Sequence, residues 1–286
     1  MTEWIGWSSF HSAMTAKLFE DLAKEQMERA PAEPVQLKFW PDERRGAPNA
    51  LLRSALFSAG KPTNTRKLFK EHPLAVLGPC TIAYTGPQLY QPELDVWLEL
   101  VHRCRLRELG TETEFPVRSF LKSLGRSTGK SDYKALVGTF RLLATTLIEV
   151  QARDEKGRVR GYMGHLVDSL EHNEATGRWS VALNPKIASL FAPTEHTWLH
   201  AGARQALGRS FLAKWLHGYF STHRVPLPIS LERLQELSGS STKQQLRDFR
   251  RSVRRALEEV AVVELAAGRR FEWRIADDDV VHVHRG

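Results

Sequence analysis

TKQQLRDFRRSVRRALEEVAVVELAAGRRFEWRIADDDVVHVHR, residues 242–285, holds a long amphipathic run, a glycine stop and two short alternating runs around an acidic turn. At 100° per residue, Leu246, Phe249, Val253, Leu257 and Val260 fall within about 80° of one another, an apolar stripe of helical period. Thr242 suits an N-cap, so the spacing predicts a helix from there to about Glu264. Beyond Gly268 the period becomes two, and Phe271–Ile275 and Val280–His284 flank Asp277-Asp278-Asp279 as a hairpin. Upstream lie a helix from Phe211 to about Phe220, the Pro226-Leu227-Pro228 break, a short helix with Ser230 before Leu231, Leu234 and Leu237, and a turn at Ser238–Ser241.

The first half reads in the same order. A helical pattern starts at Pro48 with Leu51, Leu52, Ala55 and Leu56, and Cys80 to Tyr84 is a short strand closed by Thr85-Gly86-Pro87. Leu94, Trp97, Leu98, Val101 and Leu109 mark a helix ending at Gly110, and Pro116 opens a shorter one to Leu124. Gly125–Gly129 is a turn, and Ser131–Leu147 is the next helix. Ile148-Glu149-Val150 then leads through Asp154-Glu155-Lys156-Gly157 to a returning strand from Arg158, with a third strand at Trp179–Leu183. Asn184-Pro185 opens a short helix to Phe191. Helix, short helix, turn, long helix and hairpin, twice over, predict an α+β chain of two tandem winged helix-turn-helix domains, at 36–195 and 196–286. Residues 1–35 read as a short amphipathic helix with Leu18, Phe19, Leu22 and Met27, followed by the Ala30-Pro31-Ala32-Glu33-Pro34 linker.

Composition narrows the partner. The 286 residues include 41 Lys and Arg against 33 Asp and Glu, a formal charge of +8, and Arg outnumbers Lys 28 to 13. Arginine favours planar, bidentate contacts to phosphates and guanines. Two cysteines exclude a disulfide framework and a cysteine zinc site, and no run is long and apolar enough to span a membrane. With no signal peptide visible, the expected location is cytoplasmic.

The cations concentrate on the two long helices. Lys243, Arg247, Arg250, Arg251, Arg254 and Arg255 lie on a face centred roughly 100° from the apolar stripe of the second. In the first, Leu136, Phe140, Leu143 and Leu147 form the stripe, with Lys130, Lys134 and Arg141 opposite and Ser131 at the start. A solvated charged face usually mixes signs, yet Asp248 is the only acid between 243 and 257. These faces therefore predict contact with the major groove. The hairpins add Arg153, Lys156, Arg158 and Arg160 in the first half and Arg274 in the second, where a wing meets adjacent phosphates.

Enzyme-like strings do not fit their chemistry. Gly125-Arg126-Ser127-Thr128-Gly129-Lys130-Ser131 is one residue short of a P-loop and follows a helical segment instead of a strand. His196-Thr197-Trp198-Leu199-His200 has zinc-ligand spacing on a helical face but no Glu after the first His. His282-Val283-His284 is the string of a metal-dependent single-strand nickase, but it lies in what reads as the outer strand of a wing, where alternation turns both His residues to solvent. The expectation is a protein that is not an enzyme and needs no cofactor or metal.

Several long strings resemble the TrfA family of plasmid replication initiators. They are WPDERRGAPNALLRSALF at 40–57, Tyr84-Thr85-Gly86, Leu94-Asp95-Val96-Trp97, Thr176-Gly177-Arg178, Leu183-Asn184-Pro185-Lys186, Leu190-Phe191, Trp215-Leu216-His217-Gly218 and the Leu246-Arg247-Asp248 helix. The resemblance runs from about residue 36 to the end. It implies two winged helices that bind directly repeated origin sites (iterons), melting of adjacent AT-rich DNA, copy-number control, and work with the host initiator DnaA and the replicative helicase. It also implies a monomer–dimer equilibrium and no ATPase. Members carry a sliding-clamp peptide of the form Q-L-S/D-L-F, and the corresponding string here is Gln36-Leu37-Lys38-Phe39-Trp40, with Lys38 replacing the small or acidic residue. The alternatives are that Phe39 and Trp40 pack on the first domain, and that the whole chain is a DNA-binding repressor without melting activity.

Overall fold

Strand β1 (Arg44–Pro48) pairs antiparallel with a strand 150 residues further on, and that pairing shapes everything between. The computed structural model describes residues 36–37, 39–153, 159–173, 175–191, 196–240 and 245–286. The helix and linker expected over 1–35 lie outside them. After β1 come α1 (Asn49–Leu52), β2 (Phe57–Ser58), β3 (Leu68–Leu74), β4 (Cys80–Pro87), β5 (Leu89–Tyr90) and α2 (Gln91–Cys104). Next are β6 (Thr113–Pro116), α3 (Val117–Ser123), α4 (Lys130–Thr145), β7 (Leu147–Arg153), β8 (Val159–His165), β9 (Ser169–Asn173) and β10 (Arg178–Ala182). A 3-10 turn at Pro185–Phe191 leads to β11 (His196–His200), α5 (Ala201–Ala206), α6 (Phe211–Ser221), β12 (Ile229–Ser230), α7 (Leu231–Leu237), α8 (Leu246–Ala266), β13 (Phe271–Ile275) and β14 (Val280–Arg285).

Helix starts follow local chemistry. Tyr90 precedes α2, and the Glu93 carboxylate accepts from its backbone N–H at 2.8 Å, one arm of a capping box. The Ser230 hydroxyl accepts from the Arg233 N–H at 3.3 Å and starts α7. The N-cap of α8 is Gln245, so this helix starts later than a cap at Thr242 would place it. Thr242 itself is outside the described residues. Helix α8 buries Phe249, Val253, Ala256, Leu257 and Val260, and α4 buries Leu136, Thr139, Phe140 and Leu143. Most of each expected stripe is there, but Leu246 is half-buried and Leu147 belongs to β7, because α4 ends at Thr145.

Two sheets repeat one pattern. Strands β12, β14 and β13 form a sheet in that order, and β6, β10 and β9 form another with β10 central. In both, a short strand precedes the short helix and the long helix, and pairs with the last strand of the hairpin. The β7–β8 hairpin does not belong to this pattern. It joins β3 and β4 in a separate four-stranded sheet, through β4–β7 pairing from Cys80↔Ala152 to Thr85↔Leu147. The expected third strand, β10, is therefore in a different sheet from the hairpin before it, and its partner is β9.

Three other expectations are corrected, two of them by long-range pairing. The helix from Pro48 lasts a single turn, because Ala55 N–H donates to Ala75 O at 2.9 Å and Phe57–Ser58 pairs with Leu89–Tyr90. Helix α2 stops at Cys104 instead of reaching Gly110, whose φ of +89° places it in a turn beyond the helix. His196–His200 is strand β11, not a helix, because it pairs with β1.

Residues 36–286 form one compact unit with two apolar cores. The larger gathers Leu37, Trp97, Phe120, Phe140, Ile148 and Leu199 among others; the smaller gathers Ala59 and residues from Leu207 to Val283. A buried ionic cluster joins them. Asp95 of α2 meets Arg204 of α5 at 2.5 Å and Lys214 of α6 at 2.6 Å, and Arg204 also donates to Gln91 Oε1 at 2.8 Å. The Trp215 indole of the smaller core donates to Ser54 O at 3.2 Å.

Candidate nucleic-acid interface

Helix α8 turns Arg247, Arg251, Arg254 and Arg255 to solvent, opposite its buried stripe. Arg247, Arg254 and Arg255 have no hydrogen-bond or ion-pair partner for their guanidinium groups among the described residues. Arg251 pairs with Asp248 one turn back and remains 70% exposed. Arg250 sits differently from the rest of the stripe. It is half-buried, paired to Asp279 in the hairpin turn, and donates to Ala276 O at 3.0 Å. It thereby ties the long helix to its hairpin. Arg274 on β13 is exposed, and Lys243 is outside the described residues.

Helix α4 presents Lys130, Ser131, Lys134 and Arg141, all exposed, and their side chains have no partner among the described residues. The turn before it closes at Gly125, with φ of +68°, which an L side chain adopts only under strain. This turn bridges helix to helix, from α3 to α4. Arg153 and Arg160 are strand residues of β7 and β8, and Ala152 pairs with Arg160. Their side chains, together with Lys156 and Arg158, lie outside what is described. The β9–β10 hairpin instead sets Glu171, His172 and Asn173 at the end of α4's own sheet. His172 stacks on Trp179 with centroids 4.9 Å apart, and Tyr133 of α4 meets its edge at 6.5 Å.

The clamp-like string is divided by the fold. Gln36 and Phe39 are exposed, whereas Leu37 is 5% and Trp40 2% exposed. The Trp40 indole donates to His102 Nδ1 at 3.0 Å, and the Arg105 guanidinium lies over Phe39 at 5.7 Å. Lys38 is not described. As folded, two of the four candidate contacts face the core and two face out. Burial, reinforced by Arg45 and Arg105, pushes the His102 pKa down to about 4.

The histidine strings lie on strands. His282 and His284 are on β14, which is the central strand of its sheet and not the outer one. Val281 and Val283 point into the core, His282 is half-buried and His284 is exposed. The His200 ring accepts from Ala203 N at 3.1 Å and caps α5. Among the described residues no three His, Cys, Asp or Glu side chains gather as metal ligands.

Two buried charge clusters escape a reading by spacing, because each draws in a member far away in sequence. One is the Asp95–Arg204–Lys214 cluster. The pocket beside it holds about 40 Å³, room for a water or two but not a substrate. The other centres on Glu264, 1% exposed, which accepts from Arg269 at 2.7 and 2.8 Å and lies 3.0 Å from His217 Nε2. Burial opposes the Glu264 charge, but the Arg269 and His217 contacts outweigh it and hold its pKa far below the usual carboxylate range. This pins the end of α8 to α6 and to the start of the hairpin.

The family described as TrfA protein matches residues 11–285. Among curated proteins, the plasmid replication initiator protein TrfA of Escherichia coli is 28% identical over 250 residues, covering 86% of this chain. RepFIB replication protein A of Salmonella typhi is 27% identical over 185 residues, 63% of this chain. The chain spans 63% of the length of the first relative and 56% of the second. Among solved structures, domains 2 and 3 of RctB superpose with a TM-score of 0.54 at 12% identity, over 83% of this chain and 97% of that one. That likeness is one of fold, and it agrees with the α+β class. No described helix is long and apolar enough to cross a membrane.

Proposed function

The chain belongs to the TrfA protein family, and on that premise we propose that it is a plasmid replication initiator with two winged helix-turn-helix heads, built on α3–α4 and α7–α8, that grip directly repeated origin DNA. The observation that carries this reading is the repetition of one arrangement. Twice, a short strand precedes a short and a long helix and pairs with the last strand of a hairpin, and each long helix turns cations without partners among the described residues away from its core. A helix of this kind fits the major groove, where arginine reads guanine and its neighbours meet phosphate.

In this reading Arg247 and Arg254 of α8 enter the groove, Arg251 and Arg255 meet its rim, and Arg250 aims the hairpin. Lys130, Lys134 and Arg141 act in the same way from α4. The protein works in the cytoplasm by binding and by opening adjacent AT-rich DNA, not by bond chemistry. That is supported by the helix-to-helix position of the P-loop-like turn and the solvent-side placement of His284. Recruitment of the host initiator DnaA, the replicative helicase and the sliding clamp, and a monomer–dimer equilibrium, follow from the family resemblance. Clamp binding through residues 36–40 requires Leu37 and Trp40 to leave the core.

The test uses a duplex with direct repeats and a scrambled duplex, titrated from 50 to 200 mM salt. With 6–10 phosphate contacts, affinity should fall by about 10³–10⁵ across that range. Arg254→Ala should cost about 1–3 kcal/mol on the repeats and relax specificity at one position. Permanganate footprinting on supercoiled plasmid should show opening beside the repeats. Equal binding to both duplexes overturns the reading, and specific binding without opening leaves a repressor.

A further inference from the structure

Between the two long helices lies a surface that the sequence pattern does not mark. One cleft is bounded by Ala135, Gly138 and Leu142 of α4, another by Phe249, Ser252 and Arg255 of α8. Lys61, Arg209 and Phe211 line both, so they form the ridge on which the clefts meet. Lys61 follows β2 and Arg209 precedes α6, so two loops far apart in sequence bring the charges together.

Both cations are exposed, and neither has a hydrogen bond or ion pair among the described residues. The acids along the first cleft are already engaged. Glu93 is held by Arg66 at 3.1 Å, Asp95 by Arg204 and Lys214, and Asp132 accepts from Ser127. Among the described residues the second cleft is lined by no acid, and it receives Arg255 from α8. Unpaired like charges on one ridge repel each other, and the field they make is cancelled only by an outside anion. At about 700 and 800 Å³ the clefts are far roomier than the pocket of about 40 Å³ that also borders Asp95. An extended polyanion fits them.

We propose that the Lys61–Arg209 ridge is a third DNA contact, seating the phosphate backbone that runs between the two grooves entered by α4 and α8. The inference rests on the two-headed reading above, because only DNA held by both helices crosses the ridge. It assigns to Lys61 and Arg209 a positioning role without sequence preference. Duplex DNA carries one charge per about 1.7 Å of axis, so two neighbouring cations readily find phosphates there.

The experiment is the same salt titration with the full chain carrying Lys61→Ala and Arg209→Ala, beside wild type and Arg254→Ala. Neither ridge side chain has a partner to lose among the described residues, and circular dichroism checks that folding is intact. The double variant should lower the salt slope by about two units, so that wild type loses roughly tenfold more affinity than the variant between 50 and 200 mM. Repeat and scrambled duplexes should weaken alike. Ethylation interference should fade at the phosphates between the two major-groove footprints. A double variant with the wild-type slope and interference pattern, while Arg254→Ala loses specificity, overturns the ridge contact alone. Wild type that does not prefer the repeats overturns the two-headed reading, and the ridge with it.

Discussion

The second half of the chain carries its long helix and its hairpin back to back, whereas the first half inserts β7–β8 between α4 and the hairpin of its own sheet. The difference teaches where a local pattern stops being sufficient. After α8 the next two strands complete the sheet with β12. After α4 the next two strands are captured by β4, and the sheet with β6 is completed by β9 and β10. The flanking chemistry differs as a result. The hairpin beside α8 mixes Arg270 and Arg274 with Glu272 and an Asp277-Asp278-Asp279 turn, while the one in the α4 sheet mixes Arg178 with Glu171 and His172. On the long helices, α8 exposes Arg247, Arg251, Arg254 and Arg255 against Lys130, Lys134 and Arg141 on α4, and the first head is set within the larger core.

The largest expected effect asks whether these unequal heads stand or fall together. Phe140 and Phe249 are each 1% exposed, one at the centre of each core. Phe140→Ala and Phe249→Ala should each destabilise by about 3–5 kcal/mol, the cost of a cavity in a close-packed interior. The Asp95 cluster and the Trp215–Ser54 bond couple the cores, so both variants should shift one urea transition, followed by tryptophan fluorescence and circular dichroism together. Two separated transitions for Phe249→Ala would mean that the second head unfolds on its own.

Acid should sharpen the same comparison, with a smaller effect. His102 of the first core stays neutral until about pH 4, whereas the unfolded chain protonates it near 6.5. The unfolded state binds more protons between those values, so stability falls as pH drops from 6.5 to about 4. Burial leaves this at roughly 1–3 kcal/mol. Glu264 of the second core has a depressed pKa, and its contribution is present above the unfolded value of 4.5 and is lost only as pH falls below it. His102→Gln should therefore reduce the dependence above pH 4.5, leaving the share of His217 and His223, whose burial also holds their pKa values down, and spare the part below it. A stability profile flat from pH 7 to 5 in wild type would contradict a neutral His102.

Much of this layout is legible in the residues, and the exceptions share one cause. The stripes on α4 and α8, the turn at Gly125 and the β13–β14 hairpin are written within a few neighbouring positions, so period and turn chemistry suffice. The extended state of His196–His200 is not, because it depends on Arg44–Pro48, and a five-residue apolar-polar string cannot declare its partner. Membership of β7 in the β4 sheet and the one-turn length of α1 depend on distant pairings in the same way. Of the candidate interface, the exposed cations of both helices follow from the wheel. The capture of Arg250 by Asp279, and the meeting of Lys61 with Arg209, do not.

The smallest expected effect concerns that capture, which is confined to the second head. Asp279 has φ of +62°, a conformation that Asn and Asp tolerate better than other side chains, and its carbonyl accepts from Leu231 N at 2.9 Å. Asp279→Asn keeps both features and removes the charge that holds Arg250. Because the pair is partly exposed, at 24% and 32%, the loss of stability should be about 0.5–1 kcal/mol. Asp279→Ala should cost about a further 1 kcal/mol, since alanine also carries the left-handed strain. The released Arg250 then adds a mobile cation to the exposed face of α8. Binding to scrambled DNA should rise with the salt slope, by about one unit, while preference for the repeats falls because the hairpin is no longer aimed. No cation of α4 is tied to the β9–β10 turn among the described residues, so the first head offers no equivalent variant. If Asp279→Asn leaves stability, slope and preference as in wild type, Arg250 is free in solution, and the two helices present their cations in the same way.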